Sequence, residues 1–246
     1  MLSIVTSVCE RRNNLMGYAD VHMHTTASDG FATVKEVLNH ITRMGTLNVI
    51  AITDHDVMDS SLWAYEHRHN YPFDIIPGVE VSSAEGHVLA LWVTHPIPRN
   101  LSLHETVSAI HQQGGMAILA HPFEVVVCAE ASYRHLRHPE IVREAGIDAI
   151  EAHNAGAVTP ANNLLARRMA AKLRMPIVGN SDGHSLAAIG RDGSGVVDFD
   201  GINAGFADDF RIAQVAVAGV GTHDDLKRMG ENGHAALLMN GADGFA

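Results

Sequence analysis

The chain has 246 residues, 46% hydrophobic and 18% charged, so it is long enough to bury a substantial core and too apolar to stay disordered. Its formal charge of −11 argues against a nucleic-acid coat or an anionic membrane surface as partner, and no apolar run approaches the roughly 18 residues of a membrane span. Two cysteines, Cys9 and Cys128, make no disulfide framework, so a cytoplasmic setting is expected, and the 17 histidines equal Lys plus Arg in number.

Residues 1–16 carry neither a basic leader nor a long apolar segment and read as a loose extension, with 17–246 as one domain. Short apolar runs then alternate with longer amphipathic ones, the rhythm of repeated βα units. A strand is expected over 19–25 and a helix over 33–43, followed by a strand over 48–53 and two more over 75–82 and 87–93. Next come a helix over 103–113, a strand over 116–120, a helix over 134–144, a strand over 149–153, a helix over 160–173 and a strand over 176–180. Past His184 the signal weakens to a strand over 196–199, a helix over 207–215 and an end that frays from about Gly241. Repeated βα units favour a parallel sheet, and polar residues gather at the C-terminal ends of these strands. The reading is therefore an α/β fold, a distorted TIM-like barrel with seven strands and its chemistry at the C-terminal rim. No glycine-rich dinucleotide turn or Walker loop follows any strand.

The polar strand ends have a common character. Asp20-Val-His22-Met-His24 comes first, with Asp29 five residues beyond His24; residues two apart on a strand share a face, so the two imidazoles can meet one ion. His55 lies in Thr53-Asp54-His55-Asp56, Glu80 ends the third strand, His121 precedes Pro122, and Ser181-Asp182-Gly183-His184 follows the last clear strand. Imidazole and carboxylate without thiolate suit Zn, Mn or Fe. One ion cannot use so many ligands, and Glu80, on a central strand, is expected to bridge two. Asp54 and Asp56 are expected to orient His55 and its neighbours. Glu151 and His153 share a strand end and are candidates for a supporting or substrate role. His95, His104, His111, His135, His138, His223 and His234 are expected at the surface.

Together the strings DVHMHTTASDG, AITDHD, IPGVEVSS, AHP and SDGH, from Ala19 to about Arg191, resemble the PHP family, the polymerase and histidinol phosphatase superfamily of metal-dependent phosphoesterases. The resemblance implies a barrel mouth holding two or three divalent ions. His22, His24, Glu80 and Asp182 would form one site. Glu80 would be shared with a second that includes His121, and His87 would complete it or touch substrate. Asp29, His55 and His184 would form the third. Glu80 and His184 would carry the catalysis, with Arg191 gripping substrate phosphate, Arg134 a second candidate for that grip, and His153 a further substrate contact.

The implied activity is hydrolysis of a small phosphomonoester or cyclic phosphodiester, nucleotides included, by a hydroxide bridging two metals. No membrane and no stable nucleic-acid partner is expected, and the oligomeric state stays open. The chain passes from Val93 to Leu103 without the inserted subdomain of the nucleotide-processing branch, so that branch's preference for nucleotide 3′,5′-bisphosphates or RNA ends is not carried over. Two other classes compete. A metal-dependent amidohydrolase would want a bridging lysine, and none stands at these strand ends; a non-catalytic metal-binding module would keep the ligands without turnover.

Overall fold

Seven strands stand in sequence order in one sheet: β1 (Ala19–Asp20), β2 (Val49–Ile52), β3 (Asp74–Ser83), β4 (Gly86–Leu91), β5 (Met116–Leu119), β6 (Ala149–Asn154) and β7 (Ile177–Asn180). This computed structural model describes residues 18–124, 135 and 137–190. The sheet curls until its edges meet: Met23 and Gly183 form a parallel bridge, the His24 amide donates to the Gly183 carbonyl at 3.0 Å, and the Val21 amide donates to Asn180 Oδ1 at 3.0 Å. The result is a nearly closed barrel wrapped by helices α1 (Val34–Met44), α2 (Asp59–Glu66), α3 (Leu103–Gln112), α4 (Glu140–Glu144) and α5 (Pro160–Leu173). Capping boxes start two of them, Thr33 with Glu36 for α1 and Ser102 with Glu105 for α3. Among the described residues no helix is long and apolar enough to cross a membrane.

The seven-strand barrel agrees with the sequence, but one strand direction does not. The βα rhythm predicts parallel strands throughout, whereas β4 runs antiparallel to both β3 and β5 and the remaining neighbours are parallel. The reason is length. Only Ala84 and Glu85 lie between the paired Ser83 and Gly86, and a parallel crossover needs a dozen or so residues. After β4 the chain returns along the barrel wall, where the Asn100 amide donates to the Ser82 carbonyl and the Ala84 amide to the Leu101 carbonyl, both at 2.7 Å. No extra subdomain interrupts that passage.

Other differences are smaller. The first strand is short, because the pairing partner of residues beyond Asp20 changes from β2 to the loop after β7. Helix α2 and the 3₁₀ turn Arg68–Asn70 escape the sequence reading, since α2 buries Ser60, Ser61 and Ala64 in place of an apolar stripe. Of the helix expected over 134–144, α4 covers the last five residues. The extension over 1–16, the strand over 196–199 and the helix over 207–215 lie outside the described residues.

Val21, Val49, Ala51, Ile76, Leu89, Leu91, Ile118, Ala120 and Ala149 form one buried cluster inside the barrel, and two further clusters seal the helices against its outside. Residues two apart share a face, so the inward row continues from Ile76 to Glu80 on β3, from Leu91 and Leu89 to His87 on β4, and from Ala149 to Glu151 on β6. Apolar below and ionisable above, the interior changes character along these three strands. Reversal of β4 is why His87, although it begins its strand, arrives at the end where the parallel strands finish.

Candidate metal centre at the barrel mouth

The loop after β1 is built to hold ligands still. Asp54, at the end of β2 and fully buried, accepts from the Thr25 amide, the Thr25 hydroxyl and the Ser28 hydroxyl, each at 2.7 Å. Gly30 closes the same loop, its amide 2.9 Å from the Thr25 carbonyl, and a Cβ there would fall 2.6 Å from the His24 backbone, so only glycine fits. Asp20 does not share the site with His22, as simple alternation predicts. Its buried carboxylate accepts from the Ser181 amide at 3.1 Å and the Gly190 amide at 3.2 Å, pinning the loop that carries Asp182 and His184. Asp56 likewise accepts from the Ser82 amide at 2.8 Å.

Glu80 is the hub. Its Oε2 lies 3.1 Å from His22 Nε2, 3.3 Å from His24 Nε2 and 3.2 Å from His55 Nδ1, while Oε1 lies 2.9 Å from both His87 Nδ1 and His121 Nε2. Asp182 Oδ1 stands 3.1 Å from His24 Nε2 and 3.3 Å from His22 Nε2. Further out, Asp29 Oδ2 is 3.2 Å from His184 Nε2 and 3.6 Å from His55 Nε2. Exposure grades across the group: the Glu80 and His22 side chains are sealed, whereas Asp29 is 54% and His184 35% exposed, so the cluster opens to solvent on the Asp29 side. His121 and Asp182 both have positive φ, 25° and 50°, the backbone strain that functional sites tolerate.

This donor set fits divalent cations. Three imidazole nitrogens crowd one carboxylate oxygen that has only two lone pairs, and no lysine or arginine is a partner of Glu80, Asp182 or Asp29 among the described residues. Each buried charge left unpaired would cost several kcal/mol. Two ligands bound to one ion at about 2.1 Å and at roughly right or tetrahedral angles stand about 3.0–3.4 Å apart, and the separations just given match. The atoms fall into overlapping groups, His22, His24 and Glu80; His55, Glu80 and His87; and His24, Asp29, His55 and His184, with every donor atom of a group within 4.8 Å of the others. His184 donates its Nδ1–H to the Asp182 carbonyl at 2.9 Å, which leaves the Nε2 lone pair facing Asp29 and the opening.

A fourth geometric group, His22, His121 and Glu151, reads differently. Glu151 is fully buried and accepts from His22 Nδ1, the His121 amide, Asn154 Nδ2 and Asn180 Nδ2, all at 2.9 Å. Four donors fill its four lone-pair positions, so Glu151 orients His22 and is not itself a ligand.

Charge and burial act in opposition here. Burial alone would depress His22, yet Asp182, Glu80 and Glu151 raise it well above the usual histidine range; His121 is raised too, by Glu80, against the same burial. Burial alone would raise Glu80 and Asp182, yet His22 above all holds both well below the usual carboxylate range. His55 moves down, because burial with His24 and His87 outweighs the carboxylates. Without cations the cluster binds protons at His22 and His121 more tightly than free imidazoles do, and a metal has to compete with them.

The structure thus brings together His22, His24, Asp29, His55, Glu80, His87, His121, Asp182 and His184. It leaves out His153. A register shift between Glu151 and His153 in the β6–β7 ladder breaks the alternation, burial and Arg167 on α5 lower the His153 pKa, and Asn154 takes the inward place. Arg191 and Arg134 lie outside the described residues. Two of the histidines expected at the surface are not there: His135 is buried against the Glu85 carbonyl at 2.7 Å, and His111 is half-buried, 2.9 Å from Asp148. Glu151 takes the supporting role expected of it, and Asn154 is what sequence reasoning missed; the Glu-Ala-His-Asn run carries both, but which neighbour of Glu151 faces inward depends on the bulge.

Comparison with known proteins gives the same outline. A family model described as PHP domain matches residues 20–163, more than half of the chain, and a second described as PHP-associated matches residues 160–211. An uncharacterised protein of Methanocaldococcus jannaschii is 27% identical over 148 residues, 56% of this chain and 81% of its own. The 5′-3′ exoribonuclease Rnm of Salmonella typhimurium is 35% identical over 95 residues, which span 35% of this chain and only 32% of the enzyme. Among solved structures, a candidate metal-dependent phosphoesterase from Bifidobacterium adolescentis superposes with a TM-score of 0.57 at 18% identity, covering 75% of this chain and 92% of that one, a likeness of fold.

Proposed function

The chain belongs to the PHP domain family, and on that premise we propose that it is a metal-dependent phosphoesterase of small phosphate esters, a phosphomonoester or a cyclic phosphodiester, nucleotides included. One observation carries the reading: each oxygen of Glu80 meets its own set of imidazoles, His22, His24 and His55 on one side and His87 and His121 on the other. That is the arrangement of a carboxylate shared between two cations.

Two or three divalent ions, Zn, Mn or Fe, would supply the electrophilic charge that lowers the pKa of water and neutralises phosphoryl oxygens. The protein's own residues do the rest. Glu80 would offer one carboxylate oxygen to each of two neighbouring ions. Glu151 accepts a hydrogen bond from the His22 Nδ1–H and so turns the Nε2 lone pair inward. Asp29 and His184 line the solvent side, by which an ester would enter, and His184 or a metal-bound water would serve the leaving oxygen. Arg191, following the last motif, would grip two phosphate oxygens at once. The setting is taken to be cytoplasmic.

The likeness to an exoribonuclease covers under a third of that enzyme, and the passage from β4 to α3 holds no added subdomain to guide an RNA strand. Small esters are therefore favoured over RNA ends, and no stable nucleic-acid partner is proposed. The amidohydrolase reading is weakened because the lysines among the described residues, Lys35 and Lys172, lie on helices α1 and α5 and not at the strand ends. The test is a panel with added Mn or Zn: a chromogenic phosphomonoester, cyclic and linear mononucleotides, a 5′-phosphorylated RNA oligomer, and amides and lactones. Turnover of the small esters, abolished by chelator and weakened by Arg191→Ala, is expected. Turnover of RNA alone would replace the substrate class, turnover of amides or lactones alone the reaction class, and turnover of nothing would favour the binding module.

A further inference from the structure

Asn154 occupies a position that neither metal ligation nor the usual economy of a core asparagine explains. It is 2% exposed, and its side-chain amide gives both hydrogens to carboxylates, Glu151 Oε2 at 2.9 Å and Asp182 Oδ2 at 3.0 Å, while its own Oδ1 is buried without a partner. An asparagine placed only to satisfy local structure would pair both ends. Turning the amide over would set its oxygen against two carboxylates, so the network itself fixes the orientation.

The contacts close a ring. His22 Nδ1 meets Glu151, Glu151 meets Asn154, Asn154 meets Asp182 Oδ2, and Asp182 Oδ1 returns to His22 Nε2 at 3.3 Å. Asp182 therefore has one oxygen facing the imidazoles of His22 and His24 and the other tied up behind. The rest of the fold holds Asn154 to this task. The β6 bulge turns it inward, and Asn163 on α5 clamps its peptide on both sides, Asn163 Oδ1 taking the Asn154 amide at 3.0 Å and Asn163 Nδ2 giving to the Asn154 carbonyl at 2.9 Å. Gly156 lies against the same pair, where a Cβ would stand 3.1 Å from both Asn154 Oδ1 and Asp182 Oδ2.

We propose that Asn154 is a positioning residue that keeps Asp182 a one-oxygen ligand. A carboxylate free at both oxygens can wrap an ion in bidentate fashion and use up a coordination position. Holding Oδ2 with an N–H prevents this and leaves that position for water or substrate, and the shared amide also locks Asp182 to the carboxylate that aims His22.

The inference rests on the metal-centre reading, and Co(II) separates the two. The full-length protein is stripped, titrated with Co(II), and followed by visible absorption and thermal melting for wild type and Asn154→Leu, which keeps the volume and removes the donor. In Asn154→Leu the apparent Co(II) affinity should fall about 10- to 100-fold, the range for lost partners of metal ligands. Its absorption per bound ion should also weaken, as Asp182 adds its second oxygen and raises the coordination number, and kcat on a small ester should drop with KM within about twofold. Wild-type affinity and an unchanged band in Asn154→Leu, even with a lowered melting temperature, would overturn the proposal. Should Asn154→Leu fail to fold, Asn163→Ala decides: it touches no carboxylate, and a smaller band change in the same direction supports the role while an unchanged band overturns it. Wild type that takes up no Co(II) would remove the metal-centre reading and this inference with it.

Discussion

The floor and the mouth of the barrel are made by the same strands in the same inward register, yet they do opposite things. At the floor, Val49, Ile76, Leu89, Leu91, Ile118 and Ala149 fill the interior with hydrocarbon, each large side chain contributing about 1.5–3 kcal/mol by leaving water. One or two inward positions higher, Glu80, His87 and Glu151 are just as buried or nearly so, and there burial works against the fold. The lesson is that the mouth is held in shape by the floor and by fixed hydrogen bonds accepted by Asp20, Asp54 and Glu151, while its remaining ionisable groups are kept for ligation.

Substitutions at the two ends should separate accordingly. The largest effect is expected for Glu80→Gln, which should lower turnover by well over ~100-fold, beyond the range for mere partners of ligands, and lower bound metal in step. Metal content by elemental analysis beside kcat on a small ester checks it, and full activity with normal metal would break the contrast. Leu89→Ala, at the floor, should destabilise by about 2–5 kcal/mol in denaturant unfolding and leave metal stoichiometry as it was. A loss of metal in that variant would show the two ends to be one unit.

The pH response sharpens the same comparison, because only the mouth titrates. In chelated protein the depressed Glu80 and Asp182 contribute stability that is fully present above the ordinary carboxylate value near ~4 and is lost as pH falls through their lower folded values. The raised His22 and His121 contribute stability fully present below the ordinary histidine value near ~6.5 and lost as pH rises through their higher folded values. Metal-free protein should therefore melt highest between those two limits. Loading with Mn or Zn should abolish the alkaline decline, since the ion replaces the protons, and should add an acid decline as ligands protonate. Melting curves across pH with and without chelator test this; an alkaline decline unchanged by metal would count against it. The smallest effect is expected for His153→Ala, set against Arg167 and outside the cluster, with metal content unchanged and activity within about twofold.

Much of this was legible in the residues alone, for a physical reason: ligand chemistry restricts residue type, and strand ends restrict place. His22, His24, His55, Glu80, His121, Asp182 and His184 could be read as one mouth because a barrel collects strand ends. What local pattern could not supply was the partner of each strand. Antiparallel β4 was nevertheless within reach, because the short gap between the expected strands over 75–82 and 87–93 allows a hairpin and no crossover. The β6 bulge lies beyond local pattern, since it exists only in register with β7; alternation pairs Glu151 with His153 and gives no sign of Asn154. Alternation misplaces Asp20 in the same way, because β1 leaves its ladder after two residues.

The most direct test is a count of ions against activity. Gently purified or reconstituted protein, analysed for metal per chain and assayed on a small phosphate ester before and after exhaustive chelation, should carry two or three divalent ions, lose turnover as they leave and regain it on their return. Undiminished hydrolysis by protein free of metal would contradict the account at its root.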